Sequence, residues 1–190
     1  ALQVVAMPLP DQPLTVVVDR VKTARQALAP WQHVSVVLPA GYRTGGVVQP
    51  TADQARMMVY LAVIGGARGV WWYALRSPGF RLADTELWKS FKRLNEETAA
   101  LGAAVVGGTE TALQSDNGRM QSAAWRTGDK VQIAVANPDS EAQTATLKFE
   151  GACEKAEIAK GIGQAEVKDG AVQVMLRPGQ AVLIAVSTGK

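Results

Sequence analysis

The sequence predicts an α/β domain followed by an all-β domain, and two patterns in the chain support this. In about the first hundred residues, apolar runs rich in β-branched residues alternate with segments whose apolar residues recur every three or four positions. Further along, that helical spacing gives way to short alternating segments separated by turn residues. The pattern changes at Gly107-Gly108, so we place the boundary there, with residues 1–106 in the first domain and 107–190 in the second.

The first domain is predicted to contain three strand–helix units. Strands are expected at residues 4–7, 33–38 and 69–75, and helices at residues 13–28, 51–64 and 85–101. Thr51 and Gln54 match a capping box, Asp84 or Thr85 can cap the third helix, and Gly102 is expected to end it. Strands that are apolar on both faces form parallel sheets covered by helices, so a doubly wound sheet and a slice of a (β/α)8 barrel both fit.

The second domain is predicted to be a small antiparallel β-sandwich. Residues 120–126 and 130–136 alternate on either side of Thr127-Gly128-Asp129, which is typical of a hairpin. Further alternating segments follow, each preceded by a polar or glycine-containing turn, at residues 144–149, 171–176 and 180–186. Short strands at this spacing favour a sandwich.

The composition excludes several functional classes. Hydrophobic residues make up 47% and charged residues 19%, as in ordinary globular proteins. The net charge of +3 is small and its basic residues are dispersed, so we expect no nucleic-acid partner. No apolar run reaches the roughly 20 residues that a bilayer requires, so we expect no membrane partner. The first residues show no signal-peptide pattern, so the localisation stays open, and a secreted or periplasmic protein is compatible with the sequence.

Neither a metal nor another cofactor is expected. The one cysteine, Cys153, is predicted to lie in a loop of the second domain as a buried or half-buried thiol, and it cannot form an intrachain disulfide. The one histidine, His33, begins a predicted strand, at the edge opposite to the one where parallel sheets bind ligands. No glycine-rich segment matches the dinucleotide-binding fingerprint.

Several stretches together resemble a known class of enzyme: residues 34–42, 51–64, 65–73 and 82–88, and the final Pro178-Gly179-Gln180-Ala181-Val182-Leu183. Their order resembles the C-terminal part of a (β/α)8-barrel glycoside hydrolase with an appended C-terminal β-sandwich domain. The resemblance implies a partial barrel of about three βα units, corresponding to units six to eight. It also implies a carbohydrate substrate and cleavage of O-glycosidic bonds by carboxylate acid/base chemistry. The alternative is a non-catalytic carbohydrate-binding or assembly module that lacks the catalytic pair.

Candidate site residues follow from the carboxyl ends of the predicted strands. The catalytic candidates are Asp11, Asp84 and Glu86, and the substrate-binding candidates are Tyr42, Arg43, Trp71, Tyr73 and Arg76. Glycoside hydrolysis needs two carboxyl groups, about 5–5.5 Å apart for retention or about 6.5–9.5 Å apart for inversion. The end of the predicted second strand, where many such barrels carry a catalytic Glu, has Leu38-Pro39-Ala40-Gly41-Tyr42 instead. A complete pair within this chain is therefore not expected.

The aromatic residues are predicted to divide between the core and the site. Trp71, Trp72 and Tyr73 are consecutive on a strand, so Trp72 must face away from the other two. At least one of the three is expected to pack beneath the helices, and the opposite face is a candidate sugar-stacking surface. The remaining tryptophans are predicted to be packing residues, and they are Trp31, Trp88 and Trp125.

The number of predicted parallel strands also has a consequence for partners. A closed (β/α)8 barrel takes at least about 200 residues, and about half that length precedes the predicted sandwich. Three parallel strands leave two open edges and an uncovered face, and open edges pair with other chains. We therefore expect a homo-oligomer or a complementing N-terminal barrel chain.

Overall fold

The computed structural model describes residues 2–8, 12–29, 31–43 and 47–189, with the side chains of residues 42, 43, 47 and 48 outside the description. The chain forms two compact units, Ala1–Glu96 and Glu97–Lys190, so their division falls inside helix α3. The predicted boundary at Gly107-Gly108 stays a prediction.

The described elements of the first unit include three helices, the last of which continues into the second unit. In chain order they are β1 (Leu2–Val5), α1 (Val16–Gln26), β2 (Val34–Pro39), β3 (Tyr42–Arg43), β4 (Val47–Val48), α2 (Ala52–Ile64), β5 (Ala67–Tyr73), β6 (Arg76–Ser77), β7 (Phe80–Arg81), a 3-10 turn (Leu82–Asp84) and α3 (Glu86–Gly107).

The predicted parallel sheet is confirmed for β1, β2 and β5. These strands lie in the order β1-β2-β5, with Val4 opposite Val36 and Val37 opposite Trp71. Helix α1 buries Val17, Val18 and Val21, and α2 is buried along most of its length, because these helices supply apolar cover to the sheet. No helix among the described residues is long and apolar enough to span a bilayer.

Local capping chemistry fixes where two of the helices begin. The Thr51 hydroxyl accepts from the Gln54 N–H at 3.1 Å, and the Gln54 side chain accepts from the Thr51 N–H at 2.9 Å, so the predicted capping box is confirmed. At the start of α3, the Trp88 N–H donates to the Thr85 hydroxyl at 3.3 Å. Thr85, one of the two residues proposed for this role, therefore caps the helix.

The prediction that Gly102 ends the third helix is wrong. Helix α3 continues to Gly107, because its apolar face continues as well: Leu101, Ala104 and Val105 are all buried. A Cβ atom at Gly102 would meet no atom within 4 Å. A glycine inside a helix costs only about 1 kcal/mol relative to alanine, and the burial of the residues after it offsets that cost.

Two expectations about burial also fail. The first strand is Leu2–Val5 rather than residues 4–7, and Leu2 and Val5 are exposed because β1 is an edge strand of this sheet. Trp31 is 81% exposed and Trp88 is 48% exposed, so neither is a core residue. The Trp88 ring stacks on Phe91, with 5.6 Å between ring centroids. The packing role predicted for Trp125 is confirmed, since that residue is buried.

After α3, the second unit consists of short strands. They are β8 (Thr109–Thr111), β9 (Gln114–Ser115), β10 (Gln121–Thr127), β11 (Lys130–Ala136), β12 (Gln143–Lys148), β13 (Cys153–Gly161), β14 (Gln164–Lys168), β15 (Ala171–Leu176) and β16 (Ala181–Thr188). The described strands form a five-stranded antiparallel sheet in the order β13-β16-β11-β10-β8 and a four-stranded one in the order β14-β15-β12-β9.

One apolar core is shared by the two sheets. Ile133 and Ile184 come from the five-stranded sheet, and Leu147 and Val174 come from the four-stranded sheet. The predicted β10–β11 hairpin is confirmed, with Thr127 opposite Lys130. The core of this unit is therefore assembled from alternate residues of both sheets, as the period of two along their strands requires.

The prediction that Cys153 lies in a loop is wrong, because Cys153 begins strand β13, where it is buried. Strand β13 pairs with β16 on one side and is exposed over much of its length, so its sequence lacks the apolar alternation that identifies the other strands. The expected burial of the thiol is confirmed. That burial raises the pKa of Cys153, because the charged thiolate is disfavoured away from water.

Asn137 is a buried polar residue that joins the turn after β11 to the last two strands. Its side-chain amide donates to the carbonyl oxygens of Glu141 at 2.8 Å and Leu176 at 3.0 Å. Its side-chain oxygen accepts from the Asp139 N–H at 3.0 Å, and its backbone bonds to Gly179 and Gln180. The sequence predicts only a turn here, whereas the side chain also satisfies the buried carbonyl of Leu176, which lies 39 residues away in sequence.

We predict that Asn137→Ala destabilises the second unit by about 2–4 kcal/mol, because it leaves the buried Leu176 carbonyl and the part-buried Glu141 carbonyl without their donors. Urea denaturation followed by circular dichroism measures this loss. Asn95→Ala is the control, since Asn95 is exposed on α3 and its replacement should change stability by less than about 0.5 kcal/mol. Equal stability of Asn137→Ala and the native chain would contradict the role of Asn137.

Candidate functional site

The loops that follow β2 and β5 meet at one edge of the parallel sheet. The two strands end in register, with Pro39 opposite Tyr73, and the Ala40 N–H donates to the Tyr73 carbonyl at 2.6 Å. The chain then forms the β3–β4 hairpin after β2 and the β6–β7 hairpin after β5. Parallel sheets bind ligands at this carboxyl edge.

A close contact between Gly41 and Phe80 fixes the second of these loops. Phe80 is buried, and a Cβ atom added to Gly41 would lie 2.6 Å from its ring carbon Cζ. Only a glycine leaves room for the ring at this distance. The Leu82 N–H also donates to the Leu75 carbonyl at 2.9 Å, which closes the loop at its base. The β6–β7 hairpin is therefore anchored to the sheet edge by both a side chain and the backbone.

The three consecutive aromatic residues on β5 divide between the two faces of the strand, as predicted. The half-buried Trp72 ring packs edge-to-face against Phe91 of α3, with 5.2 Å between ring centroids. Trp71 and Tyr73 lie on the other face and are 59% and 57% exposed. Val37 of β2 is opposite Trp71 in the register, so it shares their face. We call this surface of Val37, Trp71 and Tyr73 the aromatic face.

Next to the end of β5 lies a groove of about 540 Å³, lined by residues 76–81 and by Asp84. We call it the hairpin groove. Arg76 and Arg81 are opposite each other on β6 and β7, and both are exposed. The Arg81 Nε atom lies 3.7 Å from the Asp84 carboxylate, in an ion pair whose side chains are each 63% exposed, so it contributes little to stability.

The predicted site residues therefore fall into four groups. Trp71 and Tyr73 form the aromatic face, and Arg76 and Asp84 line the hairpin groove. Asp11 lies outside the described residues, as do the side chains of Tyr42 and Arg43, whose backbone forms β3. Glu86 lies on the first turn of α3, outside the groove lining, with an 86% exposed side chain that pairs with Lys89 at 2.6 Å.

Two residues of this edge, Phe80 and Arg81, do not follow from the sequence pattern. Phe80 was not assigned a role, although the Pro78-Gly79 turn before it predicts a reversal of the chain. Arg81 gives no signal in the sequence, because it comes to lie beside Arg76 only when β6 and β7 pair. Within the described part of the chain, no three His, Cys, Asp or Glu side chains are grouped in a way that could hold a metal ion.

We predict that Gly41→Ala costs about 1–3 kcal/mol of stability, because the added methyl group displaces the Phe80 ring. Phe80→Ala removes that ring, so the double variant should lose at least about 1 kcal/mol less than the sum of the two single losses. Chemical denaturation of the native chain, both single variants and the double variant measures this coupling. Strictly additive losses of stability would show that Gly41 and Phe80 are not energetically coupled.

Comparison with known proteins gives matches in structure. No protein-family model matches the chain, and no curated protein matches it in sequence. The α-amylase from Geobacillus thermoleovorans, solved with acarbose, matches 95% of this chain and 44% of its own at a TM-score of 0.63 and 11% identity. AmyP in complex with maltose matches 98% of this chain and 51% of its own, at a TM-score of 0.62 and 10% identity.

A noncanonic maltogenic α-amylase, AmyB from Thermotoga neapolitana, is also similar in structure. It matches 94% of this chain and 47% of its own, at a TM-score of 0.56 and 16% identity. The chain spans about half the length of the solved structures that it matches. Sequence identities of 16%, 11% and 10% establish similarity of fold alone. At that level the predicted resemblance is confirmed, and the chain has the fold of part of these glycoside hydrolases.

Proposed function

We propose that this chain is a carbohydrate-active protein that binds a saccharide at the carboxyl edge of β5. The observation that carries this proposal is the division of the β5 aromatics, in which Trp72 packs against α3 while Trp71 and Tyr73 stay exposed. Exposed aromatic rings on a rigid strand offer flat apolar surfaces, and the apolar faces of sugar rings pack against such surfaces. The Geobacillus amylase and AmyP, solved with acarbose and maltose, support the choice of ligand class.

The architecture we propose is a partial (β/α)8 barrel followed by a β-sandwich. The three parallel strands with their helices would be the last three units of the barrel, and the two antiparallel sheets with their common core would be the sandwich. The lengths of the matched proteins support this, because the chain corresponds to about half of each. In such a barrel the aromatic face would line the interior.

We predict that Trp71→Ala and Tyr73→Ala each weaken saccharide binding about 5-fold, because each removes one stacking surface worth roughly 1 kcal/mol. Isothermal titration calorimetry with maltotetraose, cellotetraose and xylotetraose measures this. Trp31→Ala is the matched control, since Trp31 is more exposed than Trp71 but lies in the loop before β2. Equal weakening by Trp31→Ala, or full binding by both site variants, would contradict the proposal.

Hydrolysis by carboxylates of this chain is the second candidate function, and it is favoured by the presence of Asp84 in the hairpin groove. The acid and base would come from Asp11, Asp84 and Glu86. The non-catalytic alternative is a carbohydrate-binding or assembly module that lacks the catalytic pair. The exposed, ion-paired setting of Glu86 on α3 supports binding over catalysis for this chain by itself.

If the carboxylates act, Asp84→Asn should lower the rate of hydrolysis of 4-nitrophenyl oligosaccharides at least about 100-fold. Asp11→Asn and Glu86→Gln complete the series, and Asp19→Asn on the solvent side of α1 is the control. Release of 4-nitrophenol at several pH values measures the rate. Unchanged rates in all three site variants would eliminate local carboxylate catalysis and leave the binding function.

We also propose that further βα units cover the open sheet, supplied by a second copy of this chain or by a complementing N-terminal barrel chain. Strands β1 and β5 are the edges of the described three-stranded sheet, and one face of that sheet leaves Val5, Trp71 and Tyr73 exposed. Exposed edges and apolar faces of this kind favour association.

The solution mass tests this proposal. Analytical ultracentrifugation of the 190-residue chain should give a mass above that of one chain, with dissociation on dilution. Val5→Lys should shift the equilibrium towards the monomer, because it places a charge on the exposed face of the edge strand. A folded monomer at all concentrations would contradict self-association.

A further inference from the structure

The hairpin groove presents two arginines on the same side of one rigid ribbon. Arg76 and Arg81 are directly opposite in the β6–β7 pairing, and opposite residues of an antiparallel pair project from the same face. The turn that joins them contains Pro78 and Gly79, with Gly79 at φ +74°, which suits a type II turn. Burial of Phe80 against Gly41 anchors the ribbon, so the two guanidinium groups extend from a fixed base.

The charge balance of this groove is positive. Among its lining residues, Arg76 and Arg81 are cationic and Asp84 is anionic. Asp84 lies nearest to Arg81, at the long distance of 3.7 Å, and among the described residues no carboxylate forms an ion pair with Arg76. Like charges directly opposite each other destabilise a strand pair. The stability of the β6–β7 hairpin therefore does not explain why the two arginines are opposite each other, whereas recognition of an anion does.

Guanidinium groups bind one class of anion especially well. Their planar N–H donors match the two oxygens of a carboxylate, and such charge-assisted bonds are about twice as strong as bonds between neutral groups. A neutral sugar would leave the net positive charge of the groove uncompensated. We propose that the hairpin groove is a subsite for an acidic saccharide, whose uronic carboxylate is bound by Arg76 and Arg81. This inference rests on the proposed function, because it names the class of saccharide bound at the same sheet edge.

Matched pairs of ligands test the inference by calorimetry at low ionic strength. The pairs are tetragalacturonate with its methyl ester, and glucuronic-acid-substituted xylotetraose with unsubstituted xylotetraose. We expect at least one acidic member to bind about 10-fold more tightly than its neutral counterpart, which is the effect of one charge-assisted hydrogen bond. The preference should shrink as salt is added, because exposed charges are screened.

Variants then assign the preference to the groove. Arg76→Gln should abolish the roughly 10-fold preference for the acid, measured as the ratio of the two affinities within each ligand pair. Arg76→Lys keeps the charge but loses the planar donor pair, so it should retain only part of the preference. Arg68→Gln is the control, because Arg68 is exposed at the amino end of β5 and should leave the preference intact. Circular dichroism confirms that each variant is folded.

The outcomes separate the inference from the function on which it rests. Equal affinity for both members of every pair would overturn the acidic subsite and leave saccharide binding in place. Loss of the preference in Arg68→Gln as well would also overturn it, by showing that overall charge is responsible. Failure of every acidic and neutral saccharide to bind would overturn both proposals.

Discussion

The contact between Trp72 and Phe91 determines what β5 can offer at its surface. Side chains on a strand alternate between faces, so packing Trp72 against α3 leaves Trp71 and Tyr73 on the opposite side of the sheet. The parallel register with β2 then places their strand end beside Pro39 and Ala40. This ring contact thus places an exposed aromatic surface beside the edge at which parallel sheets bind ligands.

The loops at that edge are fixed by chemistry that does not involve the aromatic face itself. Gly41 makes room for the buried Phe80 ring, and the Leu82–Leu75 backbone bond closes the loop after β5. A saccharide site needs such rigidity, because a flexible loop would lose conformational entropy on binding. The aromatic face and the hairpin groove are therefore two chemically different surfaces carried by one strand and its following hairpin, the first apolar and the second cationic.

Features set by local sequence were predictable, and features set by tertiary pairing were not. Thr51 and Gln54 are three residues apart and satisfy each other's backbone, so their capping box could be predicted from spacing alone. The alternation at Trp72 follows from the strand period. In contrast, α3 passes through Gly102 because residues beyond it are buried, and the charged strand β13 forms because β16 pairs with it. Arg81 joins the site only through its pairing with Arg76 across the hairpin.

The central claim is that the aromatic face binds the ligand, and the tryptophan indole signals in a ¹⁵N–¹H spectrum test it most directly. The chain has five tryptophans, of which Trp31, Trp71 and Trp88 are exposed. Titration with the tightest-binding saccharide should shift the Trp71 signal and leave the Trp31 and Trp88 signals in place, since exposure alone does not make a site. Shifts at Trp31 or Trp88 with Trp71 unchanged would contradict the account.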